Sequence, residues 1–335
     1  MKTLIALIFA TILPFTVTAQ HVTGGFHEVV AVVKNRAVWK EIFSQVGRWQ
    51  VKEEGRVDQG WLDLWQLEGS ASFTVLHNPG TKRGFLRLIE FDSFETDLIR
   101  PQDNAWDTGG IFDLNMRVSD LKTASDALKS FGFNAASEPL QFSFGPFVVK
   151  EWIPRGPDGI RFALIERMQP PLKGWPHMEG FSRIFNSTMI VSNMTEGLKF
   201  WQKFMGFKPY LEHRGASKKP GPNVLGLPHE MADKIVRDIA ILHPQKINEG
   251  SIELLAFEGF EGKDFSQRTL GVRRGLSRYR FPVDDLKAFK AKALKLDIPI
   301  LGQASALSLS SVGRVNVLLL KAPGGALVEL YEKDQ

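Results

Sequence analysis

The 335-residue chain contains no cysteine. That absence excludes disulfides, a thiolate nucleophile and any Cys-ligated zinc, so stability has to come from burial of a core. Tyrosine is scarce, with 3 residues against 25 phenylalanines, which makes the interior apolar rather than hydroxyl-rich. Long runs of like charge are missing too. The 42 Lys and Arg alternate with 37 Asp and Glu for a formal charge of +5, a pattern that argues against a nucleic-acid partner. A Gly-rich phosphate cradle is lacking, since Thr108-Gly109-Gly110 is too short to form one. There is also no Gly-x-Ser-x-Gly elbow and no helix with two histidines at zinc spacing. The sequons at Asn186 and Asn193 fall in an expected strand and an expected helix cap, positions unsuited to glycosylation.

What is present is globular in character, 43% apolar and 24% charged, and long enough for two domains. Lys2 precedes an apolar run from Leu4 to Leu13, broken by Pro14 and followed by the small residues Val17, Thr18 and Ala19. This is the pattern of a secretory signal peptide over residues 1–19, cut before Gln20. The run is about half the ~20 residues a spanning helix needs, and no later segment is longer and apolar enough. The expectation is a periplasmic or secreted protein without stable membrane insertion.

The rest of the chain repeats itself. Asp113–Leu121 (DLNMRVSDL) and Arg278–Leu286 (RYRFPVDDL) each read as a strand followed by a helix-capping aspartate. Asp113 to Gly132 and Arg278 to Asp297 are both separated by 19 positions. Downstream, Pro157–Glu166 matches Pro323–Glu332 without a gap. A second pair interleaves: Phe26–Gly47 aligns ungapped with Phe185–Gly206, each a strand leading into an amphipathic helix closed by a glycine expected at φ > 0. Gly84–Phe91 lies against Gly250–Phe257. Four modules result, at 22–100, 105–168, 181–262 and 270–333, each reading βαβββ. The expected architecture is α+β, with consecutive modules paired into two half-open barrel domains, 20–168 and 181–335. The Pro- and Gly-rich stretch Gln169–Gly180 is the expected linker. The third module carries an insertion, Leu211–His243, in which Glu230–Leu242 has helical spacing of Met231, Ile235 and Ile239.

A βαβββ unit with a Val-x-Asp-Leu cap (Val118–Leu121, Val283–Leu286) and a closing Pro-x-Gly-x-x-x-Glu-Leu-like strand (Pro323–Glu332) resembles the vicinal oxygen chelate superfamily of glyoxalases, bleomycin-resistance proteins and extradiol dioxygenases. The resemblance covers nearly all of the chain after residue 20. It implies a metal on the concave face of each module pair, held by residues of the first and last strands. Counting back five positions from Val32, Val118, Val191 and Val283, and along the last strands, the positions are His27, Arg87, Asp113 and Ala163 in the first domain. In the second they are Asn186, Glu253, Arg278 and Glu329. Neither set offers three good ligands, so no metal cofactor is expected, a divalent metal being the alternative.

Arg278 between two carboxylates suits acid/base chemistry instead. On that reading Glu253 or Glu329 is the base, and Arg278 stabilises negative charge on a substrate oxygen. Asn186 hydrogen-bonds that oxygen, and His229 and Arg214 reach in from an insertion lid. His27, Arg87 and Asp113 form a second candidate site. The expected activity is that of a metal-independent isomerase, epimerase or lyase acting on an apolar small molecule with a carbonyl or carboxylate. Non-catalytic sequestration of a small molecule is the runner-up, and a metal-dependent glyoxalase or dioxygenase comes third. The expected assembly is a monomer or homodimer.

Overall fold

The computed structural model describes residues 22–93, 97–102, 104–309 and 312–334, and the signal peptide expected over residues 1–19 lies outside them. Four βαβββ modules follow one another. Module 1 comprises β1 (Glu28–Val32), α1 (Arg36–Gln45), β2 (Gln50–Arg56), a short extra helix α2 (Gln59–Trp65), β3 (Ala71–His77) and β4 (Phe85–Phe91). Module 2 comprises β5 (Asp113–Arg117), α3 (Leu121–Ser130), β6 (Leu140–Phe144), β7 (Phe147–Trp152) and β8 (Phe162–Gln169). Module 3 comprises β9 (Asn186–Ile190), α4 (Met194–Leu198), β10 (Lys208–Gly215), β11 (Arg237–His243) and β12 (Ser251–Phe257). Module 4 comprises β13 (Gly275–Pro282), α5 (Leu286–Lys295), β14 (Ile300–Leu309), β15 (Gly313–Lys321) and β16 (Leu327–Lys333).

Each module helix starts in the same way. Asn35, Asp120, Asn193 and Asp285 sit at the N-cap, where each side chain accepts a backbone N–H of the first turn. Such caps contribute about 1 kcal/mol each. Below the caps, Trp39, Ile42 and Phe43 of α1 and Leu286, Phe289 and Ala293 of α5 are buried at helical spacing.

The modules do not pair in the expected order. Strand β1 runs antiparallel to β13, and β5 runs antiparallel to β9. One eight-stranded sheet has the order β14-β15-β16-β13-β1-β4-β3-β2 and so joins modules 1 and 4. The other, β10-β11-β12-β9-β5-β8-β7-β6, joins modules 2 and 3. The expected grouping of residues 20–168 and 181–335 into separate half-barrels is therefore corrected. Gln169–Gly180 connects two modules of the same half-barrel and is no boundary between them. The chain crosses between half-barrels after β4 and returns after β12. Bridges Leu98↔Arg274 and Thr108↔Asp264 zip the two crossings together.

A single apolar core runs behind both sheets and takes in the module helices, with Trp39, Phe43, Phe162, Trp201, Tyr279 and Phe281 fully buried in it. Several of its polar groups are paired: Trp39 Nε1 donates to Asp158 Oδ2 at 2.8 Å, and the hydroxyls of Ser187 and Tyr279 lie 2.9 Å apart, tying β9 to β13. The opposite faces of the two sheets are concave and hold the remaining polar residues.

Two further expectations are revised. Glu230–Leu242 is not a helix. Residues His229–Met231 make one 3-10 turn and Arg237–His243 is strand β11, which pairs with β10 and β12. An interior strand was available because Ile239 and Ile241 also satisfy period two, and pairing on both sides outweighs a weak helical stripe. Second, Gly206 has the expected positive φ of 76°, but Gly47 does not. The left-handed residue there is Arg48, with φ 57°. Gly47 is needed for close approach instead, since a Cβ would lie 2.8 Å from the Phe181 ring and from the Phe43 carbonyl oxygen.

Candidate functional sites on the two concave faces

Module 3 supplies the register that locates both sites. After α4 the helix continues through Lys199–Phe204 with π-helical hydrogen bonding, which inserts one residue. The ungapped match of Phe26–Gly47 to Phe185–Gly206 is thus in step at the helix C-caps, Val46 and Met205, and out of step by one at the N-caps, Asn35 and Asn193. Seven positions before each N-cap stand Glu28, Asp113, Asn186 and Arg278. The first-module position is therefore Glu28, and the expectation of His27 is corrected. Along a strand a shift of one moves a side chain to the other face.

In the half-barrel of modules 1 and 4, Glu28, Arg87, Arg278, Arg280 and Glu329 form a buried ionic network, none more than 5% exposed. Arg87 Nε donates to Glu28 Oε1 at 2.8 Å, Arg280 donates to both Glu28 and Glu329, and Arg278 Nε lies 3.5 Å from Glu329. Helix α2 lies across the concave face and covers most of it. Trp65 Nε1 donates to Glu329 Oε1 at 2.6 Å, and Trp61 Nε1 donates to the Ser308 carbonyl on β14 at 2.8 Å. The guanidiniums stack on aromatic faces, Arg278 on Trp65 at 4.5 Å and Arg280 on Trp61 at 4.1 Å. Desolvation raises the Glu28 pKa, but Arg87 and Arg280 outweigh it and hold the carboxyl at about 2. His27 stands at the rim against Phe85 and Tyr331, with Nδ1 buried and unpartnered. Burial lowers its pKa, with Arg87, Arg280 and Arg83 acting the same way against the opposing charge of Glu28.

The half-barrel of modules 2 and 3 has a different chemistry. Asp113 and Asn115 on β5, Asn186 and Thr188 on β9, Glu151 on β7 and Glu253 on β12 meet on its concave face. Asp113 is 2% exposed, while Glu151 and Glu253 are half-buried at the floor of the groove. Asp113 Oδ1 accepts from Asn115 Nδ2 at 3.2 Å and from the Thr188 amide at 3.3 Å. Asn115 Nδ2 also donates to Asn186 Oδ1 at 2.6 Å, and Asn186 Nδ2 donates to Ser251 Oγ at 2.8 Å. Desolvation pushes Asp113 up to about 7, against its hydrogen bonds from Thr188. Desolvation and the charge of Asp113 push Glu151 to about 8, and desolvation with the charges of Asp113 and Glu151 does the same for Glu253.

Two connecting segments border this groove. From the insertion, Val224 and Leu225 pack on the apolar cluster of Ala163, Ile190 and Leu255. From Gln169–Gly180, Trp175 faces Phe185 and Arg117. Arg117, two positions beyond Asn115 on the same face of β5, is 5% exposed. Its guanidinium lies 4.2 Å from the Phe185 ring centre, and its Nε is buried with no acceptor among the described residues.

Of the three residues expected to act together, Arg278 and Glu329 meet in one half-barrel and Glu253 lies in the other, with Asn186 and Asp113 beside it. Arg87 joins the Arg278–Glu329 set. Arg214 is exposed on β10 and paired with Glu258, not turned into either site. His229 opens the 3-10 turn of the insertion loop, where its carbonyl accepts the Gly221 amide and holds the loop closed on itself. Arg280, Asn115 and Arg117 were not among the expected residues, although strand alternation from Arg278 and Asp113 puts them on the same faces. Nothing local marked Glu151, whose role depends on β7 curling toward β12.

Neither donor set fits the metal the fold implies. In the first half-barrel both carboxylates already accept from guanidiniums, and three adjacent cations oppose a fourth. In the second, Ala163 has no donor atom and Asn186 Oδ1 is occupied by Asn115. Among the described residues no three His, Asp or Glu side chains are grouped to hold an ion.

The raised carboxyls fix a pH dependence. A carboxyl whose folded pKa exceeds its ordinary value contributes stability below that ordinary value and loses it as pH rises through the folded one. Between the ordinary values of 3.8 and 4.5 and the folded values of about 7 and 8, stability is expected to fall as pH rises. Urea midpoints measured across that range should flatten in Glu253→Gln. An unchanged slope would mean that Glu253 titrates normally.

No family profile matches the sequence, and no curated protein matches it. Solved structures do. Glyoxalase I from Zea mays superposes with a TM-score of 0.61 at 15% identity, covering 93% of each chain. A putative dioxygenase from Bacillus subtilis gives 0.53 at 11% identity, covering 93% of this chain and 86% of the other.

Proposed function

We propose, for a chain with the vicinal oxygen chelate fold, that the half-barrel of modules 2 and 3 performs metal-independent acid/base chemistry on a small carboxylate-bearing molecule. The observation that carries this is the convergence of Asp113, Glu151 and Glu253 on one concave face with pKa values raised to about 7, 8 and 8. Groups tuned near neutral pH exchange protons efficiently in both directions. Arg117, buried and lacking an acceptor at Nε, anchors the substrate carboxylate, with Phe185 and Trp175 beside the substrate body. An ionised Glu253 or Glu151 takes a proton from carbon next to a carbonyl. A protonated neighbour, Asp113 among them, donates a hydrogen bond to the oxygen that gains charge. Returning the proton to another atom of the same substrate balances the reaction as an isomerisation or epimerisation, and loss of a leaving group from the enolate makes it an elimination.

The test is exchange of substrate C–H for deuterium in heavy water, followed by NMR over a panel of oxo- and hydroxy-carboxylates. Exchange that requires Glu253 supports the proposal. Saturable binding without exchange or turnover favours the second reading, a sequestering protein, which the apolar insertion-loop wall also suits. Export belongs to the same proposal and rests on the pattern of residues 1–19. The mass of the native protein should correspond to a chain beginning at Gln20, and a mass retaining Lys2 would overturn export by this route.

A further inference from the structure

The groove of modules 2 and 3 has two unlike ends. At one, Ala163, Ile190 and Leu255 form an apolar patch under Val224 and Leu225 of the insertion. At the other, where β5 and β8 finish and β9 begins, stand two arginines, Arg117 and Arg167. Both lie on the concave face, since Ile165 is opposite Arg117 and Arg167 is two positions further along β8. Asp113 and Glu253 lie between the two ends along the strands. Glu151 is opposite Ile165 and so stands level with Arg117.

Neither arginine side chain makes a hydrogen bond or an ion pair among the described residues, and each has its Nε buried without a partner. The two guanidiniums lean apart. Arg117 lies 4.2 Å from the Phe185 ring centre, on the β9 side, and Arg167 lies 3.9 Å from that of Phe147 on β7. In the sheet β9 and β7 flank the β5–β8 pair on opposite sides, so the cations occupy two positions instead of converging on one. Their charges still reach each other, since Arg167 adds to desolvation in lowering the Arg117 pKa to about 10. Tyr210, on the edge strand β10, is within electrostatic reach of both. The curl of the sheet brings it there: a Cβ built on Gly145, in the β6–β7 turn, would lie 4.0 Å from Cδ1 of its neighbour Leu211. Glu151 is the one acid whose charge acts on Arg117. Burial and Asp113 hold its carboxyl at about 8 against that arginine, so at neutral pH it is mostly protonated and a weak counter-ion. Arg183, also at this end, is paired with Glu249. Two unpaired guanidiniums stacked on separate rings make two separate anion positions.

We propose that the substrate of this groove is a dicarboxylate, with one carboxylate on Arg117 and the other on Arg167 beside the Tyr210 hydroxyl. The inference rests on the acid/base reading for the place of the site and narrows its substrate. A monocarboxylate fills one position and leaves the second guanidinium without a counter-ion, whereas a diacid satisfies both. A single phosphoryl group would need guanidiniums that converge, and these lean toward opposite strands. The carbon joining the two carboxylates faces the raised carboxyls, and an apolar substituent on it runs along the groove toward Ala163, Ile190 and Leu255.

Calorimetric titration of the chain from Gln20 onward with malonate, succinate and glutarate, which differ in carboxylate spacing, is expected to show saturable binding of at least one. The monomethyl ester of that diacid should bind at least about tenfold more weakly, the effect of one lost charge-assisted contact. Arg167→Met should bind diacid and monoester with nearly equal affinity. Glu253→Gln removes the proposed base but no cation, and should bind the diacid as the parent does. No saturable binding of any of the three, a monoester as tight as its diacid, or a diacid preference undiminished in Arg167→Met would overturn the proposal. Loss of diacid binding in Glu253→Gln would overturn the assignment to the arginines. The acid/base reading fails separately. A diacid that binds with the expected preference but exchanges no C–H for deuterium sinks that reading and leaves the dicarboxylate site standing. Exchange confined to monocarboxylates sinks the dicarboxylate and leaves the base.

Discussion

Glu253→Gln is expected to lower turnover by about 10²–10⁴-fold, the usual contribution of a general acid or base, while leaving the fold intact. The substitution keeps the shape of the side chain and removes its ionisation. Glu253 lies on the concave face and makes no ion pair among the described residues, so the change strands no buried cation among them. Burial and the charges of Asp113 and Glu151 hold its pKa near 8, and a neutral amide also relieves that repulsion. The variant should therefore be as stable as the parent at neutral pH or slightly more so, and inactive. Activity and stability thus move in different directions, a combination that damage to the fold does not produce. Arg117→Met makes a companion variant. It should raise KM for carboxylate substrates more than it lowers kcat, because it removes a binding group remote from the reacting carbon. Full deuterium exchange in Glu253→Gln would move the base to Glu151, and full exchange in Glu151→Gln as well would sink the acid/base reading.

Glu329→Gln should behave in the reverse way, costing about 3–5 kcal/mol of stability with little effect on chemistry in the other half-barrel. Glu329 is fully buried and accepts from Arg280 and from Trp65, with Arg278 at 3.5 Å. Removing its charge leaves those guanidiniums under-compensated in a place water does not reach. Urea unfolding measures the loss. Arg280→Met should cost a similar amount, and the double variant should cost less than the two losses combined, since both act on one network. Losses below about 1 kcal/mol in both single variants would mean that the network is as weak as an exposed ion pair. The network also limits acid tolerance. Glu28, held at about 2 against an ordinary 4.5, contributes stability above its ordinary value and loses it as pH falls through the folded one.

The two half-barrels have diverged in opposite ways on one scaffold. In one, the residues at the first- and last-strand positions neutralise each other and are covered by α2, so the concave face works largely as core. In the other, Asp113 and Glu253 at these positions come together with Glu151 of β7, and the charges of Arg100 and Arg117 offset them only in part. The difference follows from which modules face each other, since Arg278 and Glu329 of module 4 meet Glu28 and Arg87 of module 1, not Glu253 of module 3.

Sequence alone determined the local architecture. Period-two alternation in the strands, Asn and Asp at the helix caps and the repeated spacing of 19 reveal four βαβββ modules, because those signals are set by contacts within about 20 residues of chain. It also placed Asp113, Asn186, Arg278, Glu253 and Glu329 on inward positions, since facing is a local property of a strand. Two things it could not determine. The one-residue π insertion in module 3 shifted Glu28 to His27 in an ungapped match, because a bulge costs little in the pattern of Leu198, Trp201 and Phe204 that marks the helix. The choice of partner for each module belonged to the tertiary structure alone. Each β1-like edge presents the same backbone ladder to any other, so hydrogen bonding does not discriminate among modules. The decision falls to the shared core of Trp39, Phe162, Trp201 and Tyr279 and to the paired crossings at Leu98–Arg274 and Thr108–Asp264, contacts between residues far apart in the chain.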